Sequence, residues 1–379
     1  ARSTRFVNSM LNHYKQSVHK ALPVWSHMGN ENWCMIGYHS VSVVSDAIAK
    51  GLDIDNELAL EACVNSSNVD YFDGTGDYKK YGYVPLERSS SAASITLEYS
   101  YDDWTIHELA NRLNKSEISQ EYARRALNYR NIFDPSLHFA RPKLKDGTFK
   151  EDFDLLDTHG QGFIEGNSWN YSFFVPHDVN GLIKEMGGEK QFIRRLDSLF
   201  TMELPAKYFE KTEDINEEGL MGNYVHGNEP SHHVAYLYKW TKEPWKSEYR
   251  LHKIMRQMYK NKIDGLSGND DCGQMSAWYI FSALGFYPVC PGSDQYVIGS
   301  PKAKEATIHL ENGKTFTVKT ENLSDKNVYV KAIKLNGKKY EKHFITHSDI
   351  LKGGEMLFEM SNRPNRKSAS YQKPYSFTE

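Results

Sequence analysis

Residues 268–301 read GNDDCGQMSAWYIFSALGFYPVCPGSDQYVIGSP. Three signals follow one another in this stretch. Gly268 to Asp271 form a polar turn that carries two adjacent acids. Residues 273–285 keep apolar side chains at helical spacing. After GFYPVCPG the period shortens to the alternation of a half-buried strand. The pattern changes here from helix to strand, and the rest of the chain divides around it.

Toward the N-terminus the spacing predicts helices over 2–20, 37–51, 55–66, 90–113, 117–131, 177–186, 188–201, 230–240 and 244–260, besides 273–285. These make about five helical hairpins. The segment GLDIDNELALEACV has a faint likeness to a calcium loop, but lacks its glycine and twelfth-position Glu, so Asp53 and Asp55 read as helix-start residues. Toward the C-terminus, QYVIGS, EATIHLE, TFTVKTE, NVYVKAIKLNGKKY and EMLFEMS alternate apolar and polar residues, and LNGK predicts a tight hairpin turn. The expected fold is mainly α. A helical domain over 1–289 precedes an antiparallel, strand-rich segment over 290–363, and 364–379 is a polar tail, frayed or draped on the surface. Two long aromatic loops, 67–89 and 132–176, interrupt the helices, and loops of that kind are usually functional.

Composition excludes several classes of function. The chain has 379 residues, 25% charged and 39% hydrophobic, with a net charge of −3. No dense Lys/Arg stripe supplies the attraction that a phosphate polymer needs, so nucleic acid is not an expected partner. No apolar run approaches the roughly 18 residues that suggest a membrane span. Cys34, Cys63, Cys272 and Cys290 form no CxxC pair, which argues against a thiolate zinc site. No GxGxxG, P-loop or GxSxG stretch occurs.

The turn at 268–271 has counterparts. GNEN lies at 29–32, EGN at 165–167 and HGNEPSHH at 226–233. Gly and Asn tolerate the left-handed backbone of a sharp turn. Helix-start amides can order the neighbouring acid. Where helical hairpins form a ring, such loops converge at one end. Converging carboxylates and amides suit two jobs: holding a hard cation such as Ca²⁺ through oxygen donors, or hydrolysing a glycoside with one protonated and one ionised carboxyl. His226, His232 and His233 suggest zinc less well, because HExxH is absent and acids outnumber histidines.

Several stretches together resemble glycoside hydrolase family 92. They are LPVWSHMGNENWCMIGYHSVSVVSDAIAKG, YGYVP, SITLEYSYDDW, FDPSLHFARP, EGNSWNYSFFVPHDV, HGNEPSHHVAYLY and the opening stretch, in order from near residue 1 to about 302. The family comprises calcium-dependent, exo-acting α-mannosidases. The resemblance implies an (α/α)6 barrel and an inverting single displacement. It makes Glu165 the general acid and Asp271 the general base, with Asp270 beside it. Their carboxyls are then expected about 6.5–9.5 Å apart, leaving room for water. Burial near Trp169 would keep Glu165 protonated. Asn228 and Glu229 become calcium ligands. Asn167, Trp169, His226, His232, His233, Asp102 and Asp103 become sugar contacts or their supports. The expected substrate is terminal α-linked mannose of mannan or N-glycans, outside the cytoplasm.

Two departures accompany the resemblance. An N-terminal β-sandwich and the first barrel helices, with a Trp-Asp-Thr segment, have no counterpart in the chain, which is expected to be the C-terminal portion of a longer enzyme. Relatives that cut α-1,2 links often carry Glu where Gly227 stands here, so α-1,3, α-1,4, α-1,6 and phosphomannose linkages stay open. A glycan-binding remnant without catalysis, or an (α/α)6 hydrolase of another sugar, are the alternative readings.

Overall fold

The apolar periods recur as real elements. A computed structural model of the chain describes residues 2–28, 30–208 and 219–379. Gly29, the first residue of GNEN, lies outside them. The chain folds as two compact units, 1–177 with 291–294, and 178–290 with 295–379.

The first unit is helical: α1 (Arg2–Gln16), α2 (Ser40–Ala49), α3 (Asn56–Ser66), α4 (Thr75–Tyr81), α5 (Ala92–Arg112), α6 (Ser116–Arg125) and the single turn α7 (Ser168–Tyr171). Helix α5 is its axis. It is buried on every side over most of its length, and α2, α3 and α6 pack on it. A helix with that surround shows little amphipathicity, yet α5 carries Glu98, Asp102 and Asp103, which must find partners inside. Helix α1 instead buries one stripe, Val7, Leu11 and Tyr14. Asp55 caps α3 by accepting from Leu58 N at 3.0 Å, as the helix-start reading requires. The first long loop contains α4, whose polar sequence TGDYKKY gave no apolar period.

The second unit joins helices to sheet: α8 (Val179–Glu185), α9 (Glu189–Leu199), α10 (Trp245–Gln257) and α11 (Gln274–Leu284). The expected helix over 230–240 is wound as two 3₁₀ segments, Glu229–Ser231 and Val234–Trp240. The larger sheet has five strands in the order Lys338–Lys339, Tyr329–Leu335, Gly354–Ser361, Thr315–Glu321 and Glu305–His309. The expected antiparallel pairing holds for three neighbouring pairs, but Thr315–Glu321 and Gly354–Ser361 run parallel. LNGK forms the predicted two-residue hairpin, with Asn336 and Gly337 at φ 50° and 76°. Phe281 and Leu284 of α11 pack on the sheet core of Phe316, Ile333, Met356 and Phe358. Lys239 and Glu248 form a buried ion pair at 2.8 Å, and the second Glu248 oxygen accepts from Val330 N at 2.9 Å, which ties helix to strand.

The change of period near 290 is therefore a change of secondary structure, and the strands share a compact unit with α8–α11. The tail is draped. Trp240 donates to the Tyr375 carbonyl at 3.0 Å, and the Asp178 carboxylate accepts from Ser376 and Thr378. Cys34, Cys63, Cys272 and Cys290 form no disulfide. Among the described residues no helix is long and apolar enough to cross a membrane.

Candidate active site

The residues singled out in sequence fall on both units.

In the first unit the loop 132–176 is built to hold residue 165. Its start is a short hairpin, Phe133–Asp134 against Phe139–Ala140. Ser168 Oγ donates to the Ala140 carbonyl at 2.6 Å, and Ala140 N donates to Ser172 Oγ at 2.9 Å. Asn167 and Asn170 cap α7 reciprocally: Asn170 N donates to Asn167 Oδ1 at 3.1 Å, and Asn167 N to Asn170 Oδ1 at 3.0 Å. Gly166 lies so close to Asn170 Oδ1 that a Cβ would sit 2.7 Å from it. The Glu-Gly-Asn order thus has a local cause: Asn caps, Gly clears the cap, and Glu165 sits half-buried on left-handed backbone at φ 49°. Such a φ costs energy for a residue with a Cβ and persists where its surroundings enforce it. Asn167 is 1% exposed and spends its side chain on the cap and on the Leu156 carbonyl, so it supports the loop from within. Trp169 packs on Phe139 with ring centroids 4.7 Å apart, and its buried Nε1 meets no acceptor.

Helix α5 supplies the carboxylates beneath. Asp102 and Asp103 were expected at the sugar, but both are fully buried. Asp103 is forked by Arg125, Nε to Oδ2 and Nη2 to Oδ1 at 2.9 Å each, and accepts from the Tyr38 and Tyr78 hydroxyls. Burial pushes its carboxyl up to about 6 against the pull of Arg125. Asp102 accepts from Tyr38 N at 2.9 Å and pairs with His39 Nδ1 at 2.8 Å. These contacts brace α5 and leave neither acid a surface for a sugar.

The group that does reach solvent is His39, which sequence reasoning passed over. Its side chain is 40% exposed. Its Nε2 meets Glu98 at 3.0 Å, and Tyr171 donates to the other Glu98 oxygen. Desolvation opposes charge on His39, but Asp102 and Glu98 outweigh it and hold the imidazolium well above its usual pKa. Tyr171 also lies within electrostatic reach of Glu165. The available signal was the i, i+4 spacing of Glu98 and Asp102, which puts both on one face of α5.

In the second unit HGNE and GNDD meet. Gly227 and Gly268 pass back to back: a Cβ on Gly227 would lie 2.5 Å from the Ser267 carbonyl, and one on Gly268 3.0 Å from Gly227 Cα. A side chain at Gly227 would force that carbonyl to shift.

The histidines were expected as sugar contacts or their supports, and His226, His232 and His233 are buried, as supports would be. Tyr259 donates to the Met275 carbonyl at 3.0 Å, so its oxygen accepts from His226 Nε2 at 2.8 Å, and His226 Nδ1 accepts from Tyr224 at 2.9 Å. His232 Nε2 donates to the His226 carbonyl at 3.0 Å and Nδ1 accepts from Gln274 at 3.2 Å. Burial lowers both histidines, His232 to about 4. With their nitrogens occupied, the rings of His226 and His232 are neutral scaffolding under the turn.

Above that scaffold, Asn228 Oδ1 accepts from Glu229 N at 3.0 Å and Glu229 is exposed. Asp270 anchors α11 by accepting from Ser276 N and Oγ at 2.9 Å each. Asp271 is exposed and opens a run of left-handed backbone, φ 45°, 56° and 102° at residues 271–273. Among the described residues no group of three or more His, Cys, Asp or Glu side chains is arranged to hold a metal ion. Asn228 and Glu229 offer hard oxygen donors, which fit Ca²⁺ in kind, with the remaining oxygens left to backbone, water or substrate hydroxyls.

The model of the glycosyl hydrolase family 92 catalytic domain matches residues 1–362. A family GH92 α-mannosidase of Bacteroides thetaiotaomicron is 43% identical over 99% of this chain and 49% of its own, with a TM-score of 0.93. The same enzyme is known in complex with mannoimidazole. An inverting family GH92 mannosidase of that organism is 37% identical over 100% of this chain and 53% of its own, at TM-score 0.90. An uncharacterized secreted glycosidase of Arthroderma benhamiae is 30% identical over 84% of this chain and 44% of its length. The chain belongs to glycosyl hydrolase family 92 and spans about half the length of the relatives it matches.

Proposed function

We propose that this chain is the catalytic portion of an exo-acting, inverting α-mannosidase that works outside the cytoplasm on terminal mannose of mannan or N-glycans. The observation that carries the reading is the 43% identity, over 99% of the chain, to an α-mannosidase of the family. The (α/α)6 barrel implied by the sequence resemblance is part of the proposal, and so are the residue roles.

Glu165 is the general acid. It is half-buried near the Glu98–Tyr171 pair, on a loop held by the Asn167–Asn170 cap and the Ser168 and Ser172 bonds to Ala140. In the reaction it protonates the leaving glycosidic oxygen. Asp271 is the general base. It is exposed, so its carboxylate can hold a water, and it removes a proton as that water attacks the anomeric carbon. Asp270 fixes the turn that presents it. When bound through Asn228 and Glu229, calcium would supply Lewis-acid polarisation of substrate hydroxyls.

The test is release of mannose from α-1,2-, α-1,3-, α-1,4- and α-1,6-linked mannobiose, with calcium and with chelator. Calcium-dependent release from one of them, abolished in Glu165→Gln, is expected. Turnover that survives Glu165→Gln would remove the acid assignment. A second reading, a glycan-binding module without catalysis, draws on the chain spanning about half of its relatives. It predicts mannobiose binding with no turnover in the unaltered protein.

A further inference from the structure

GNEN is the one Gly-Asn-acid stretch that the proposed chemistry leaves unused. Its acid has a local task. Glu31 accepts from four backbone amides, Val24 N at 2.6 Å, Trp25 N at 2.8 Å, and Asn32 N and Trp33 N at 3.0 Å each. A carboxylate so used is a clip for the loop. What the clip presents is Trp33, held at φ 55°, a conformation that bulky side chains rarely adopt. Backbone strain of this kind persists at ligand clamps, where the surroundings impose it.

Trp33 lines a concave pocket of about 340 Å³ with Tyr71, Phe72, Asp73, Met35 and Cys34. Its ring stands 4.7 Å from Phe72 and edge-on to Tyr71 at 6.2 Å. Tyr71 is 58% exposed, and its hydroxyl is steered by His19 Nδ1 at 2.5 Å. The lining combines aromatic faces with one carboxylate and has no Lys or Arg. That chemistry suits a neutral polyol ring, stacked on its apolar face and hydrogen-bonded through hydroxyls, and not a phosphate. The volume is at the low end of small-molecule sites, roughly 300–1,000 Å³, and matches one sugar ring. Helix α5 lies under the pocket and under the acid's surroundings alike: Tyr99 donates to the Asp73 carbonyl at 3.2 Å, and the preceding Glu98 holds Tyr171 and His39.

We propose that the Trp33–Tyr71–Asp73 pocket is a subsite for the sugar on the leaving-group side of the scissile bond. It rests on the mannosidase reading, because a general acid faces the leaving oxygen, and the pocket lies in the same unit as Glu165 and within electrostatic reach of Glu98, which holds Tyr171 beside that acid.

The experiment uses the full chain and the four α-linked mannobioses, with methyl α-mannoside as a substrate that lacks a leaving sugar. Trp33→Ala and Tyr71→Ala are expected to raise KM for mannobiose by about tenfold, the size of one lost stacking contact, with kcat retained. Methyl α-mannoside turnover stays unchanged. Trp33→Phe keeps an aromatic face and restores most of the affinity. Calorimetric titration of Glu165→Gln with mannobiose, with and without Trp33→Ala, reads binding apart from turnover. Unchanged KM and unchanged binding in both alanine variants overturn the subsite while leaving the mannosidase reading intact. An unaltered protein that binds mannobiose through Trp33 but releases no mannose overturns catalysis and keeps the subsite. Neither binding nor release removes both.

Discussion

His232 offers a measurement of how the site turn is supported. Its ring is 2% exposed, with Nε2 donating to the His226 carbonyl and Nδ1 accepting from Gln274. Protonation would break the Gln274 bond and place a charge beside a second buried histidine. Its pKa is accordingly lowered from 6.5 to about 4, by burial first. Because the folded value lies below the unfolded one, the unfolded chain takes up the proton first as pH falls. The stabilisation is fully present above pH 6.5 and is lost between 6.5 and 4. At about 1.4 kcal/mol per pKa unit, the loss between pH 7.5 and 5.0 is about 2 kcal/mol for this ring alone. His232→Gln removes the titration and keeps an amide in the space. Urea unfolding followed by near-ultraviolet circular dichroism, in chelator so that metal linkage is absent, reads the effect. The variant should be less stable at pH 7.5, and its stability should fall by about 2 kcal/mol less than that of the unaltered protein on going to pH 5.0. Contributions from His39 and Asp103, which run in the opposite direction, are common to both proteins and cancel. Equal pH slopes would show that His232 is not held neutral by its surroundings, and the scaffold account of HGNEPSHH would fall.

Gly227→Ala drives a Cβ to 2.5 Å from the Ser267 carbonyl, so the two loops must part. A loss of about 1–3 kcal/mol in thermal unfolding is expected, together with loss of mannose release. Arg125→Met leaves Asp103 buried without its fork and should cost about 3–5 kcal/mol, whereas Arg125→Met combined with Asp103→Leu should recover much of it. Gly337→Ala in the hairpin turn at φ 76° should cost about 1 kcal/mol in thermal unfolding and leave mannose release unchanged.

The helical half of the fold was legible because apolar residues recur at 3.6 along α1, α2, α9 and α10, and LNGK announced its own hairpin through the φ values it permits. Family membership was legible in long motifs. The roles of individual polar residues were less so. Asp103 and Glu165 are both acids in aromatic stretches, yet one is forked by Arg125 inside the core and the other stands half-open on strained backbone. Local spacing carries no information about which groups a distant segment will bring against a side chain. His226 and His232 illustrate the same limit, since the histidine cluster reads equally as sugar contacts or as their supports until Tyr259 and Gln274 arrive from elsewhere and, with the neighbouring Tyr224, occupy the nitrogens.

Period, caps, turns and the positions that need glycine are written locally along this chain. Three further features arose only when distant segments met. They are the parallel pairing of Thr315–Glu321 with Gly354–Ser361, the contact of Gly227 with Gly268, and the exposure that singles out His39 and Trp33. Backbone conformation is chosen by near neighbours in sequence, while burial and hydrogen-bond satisfaction are settled by residues far away along the chain.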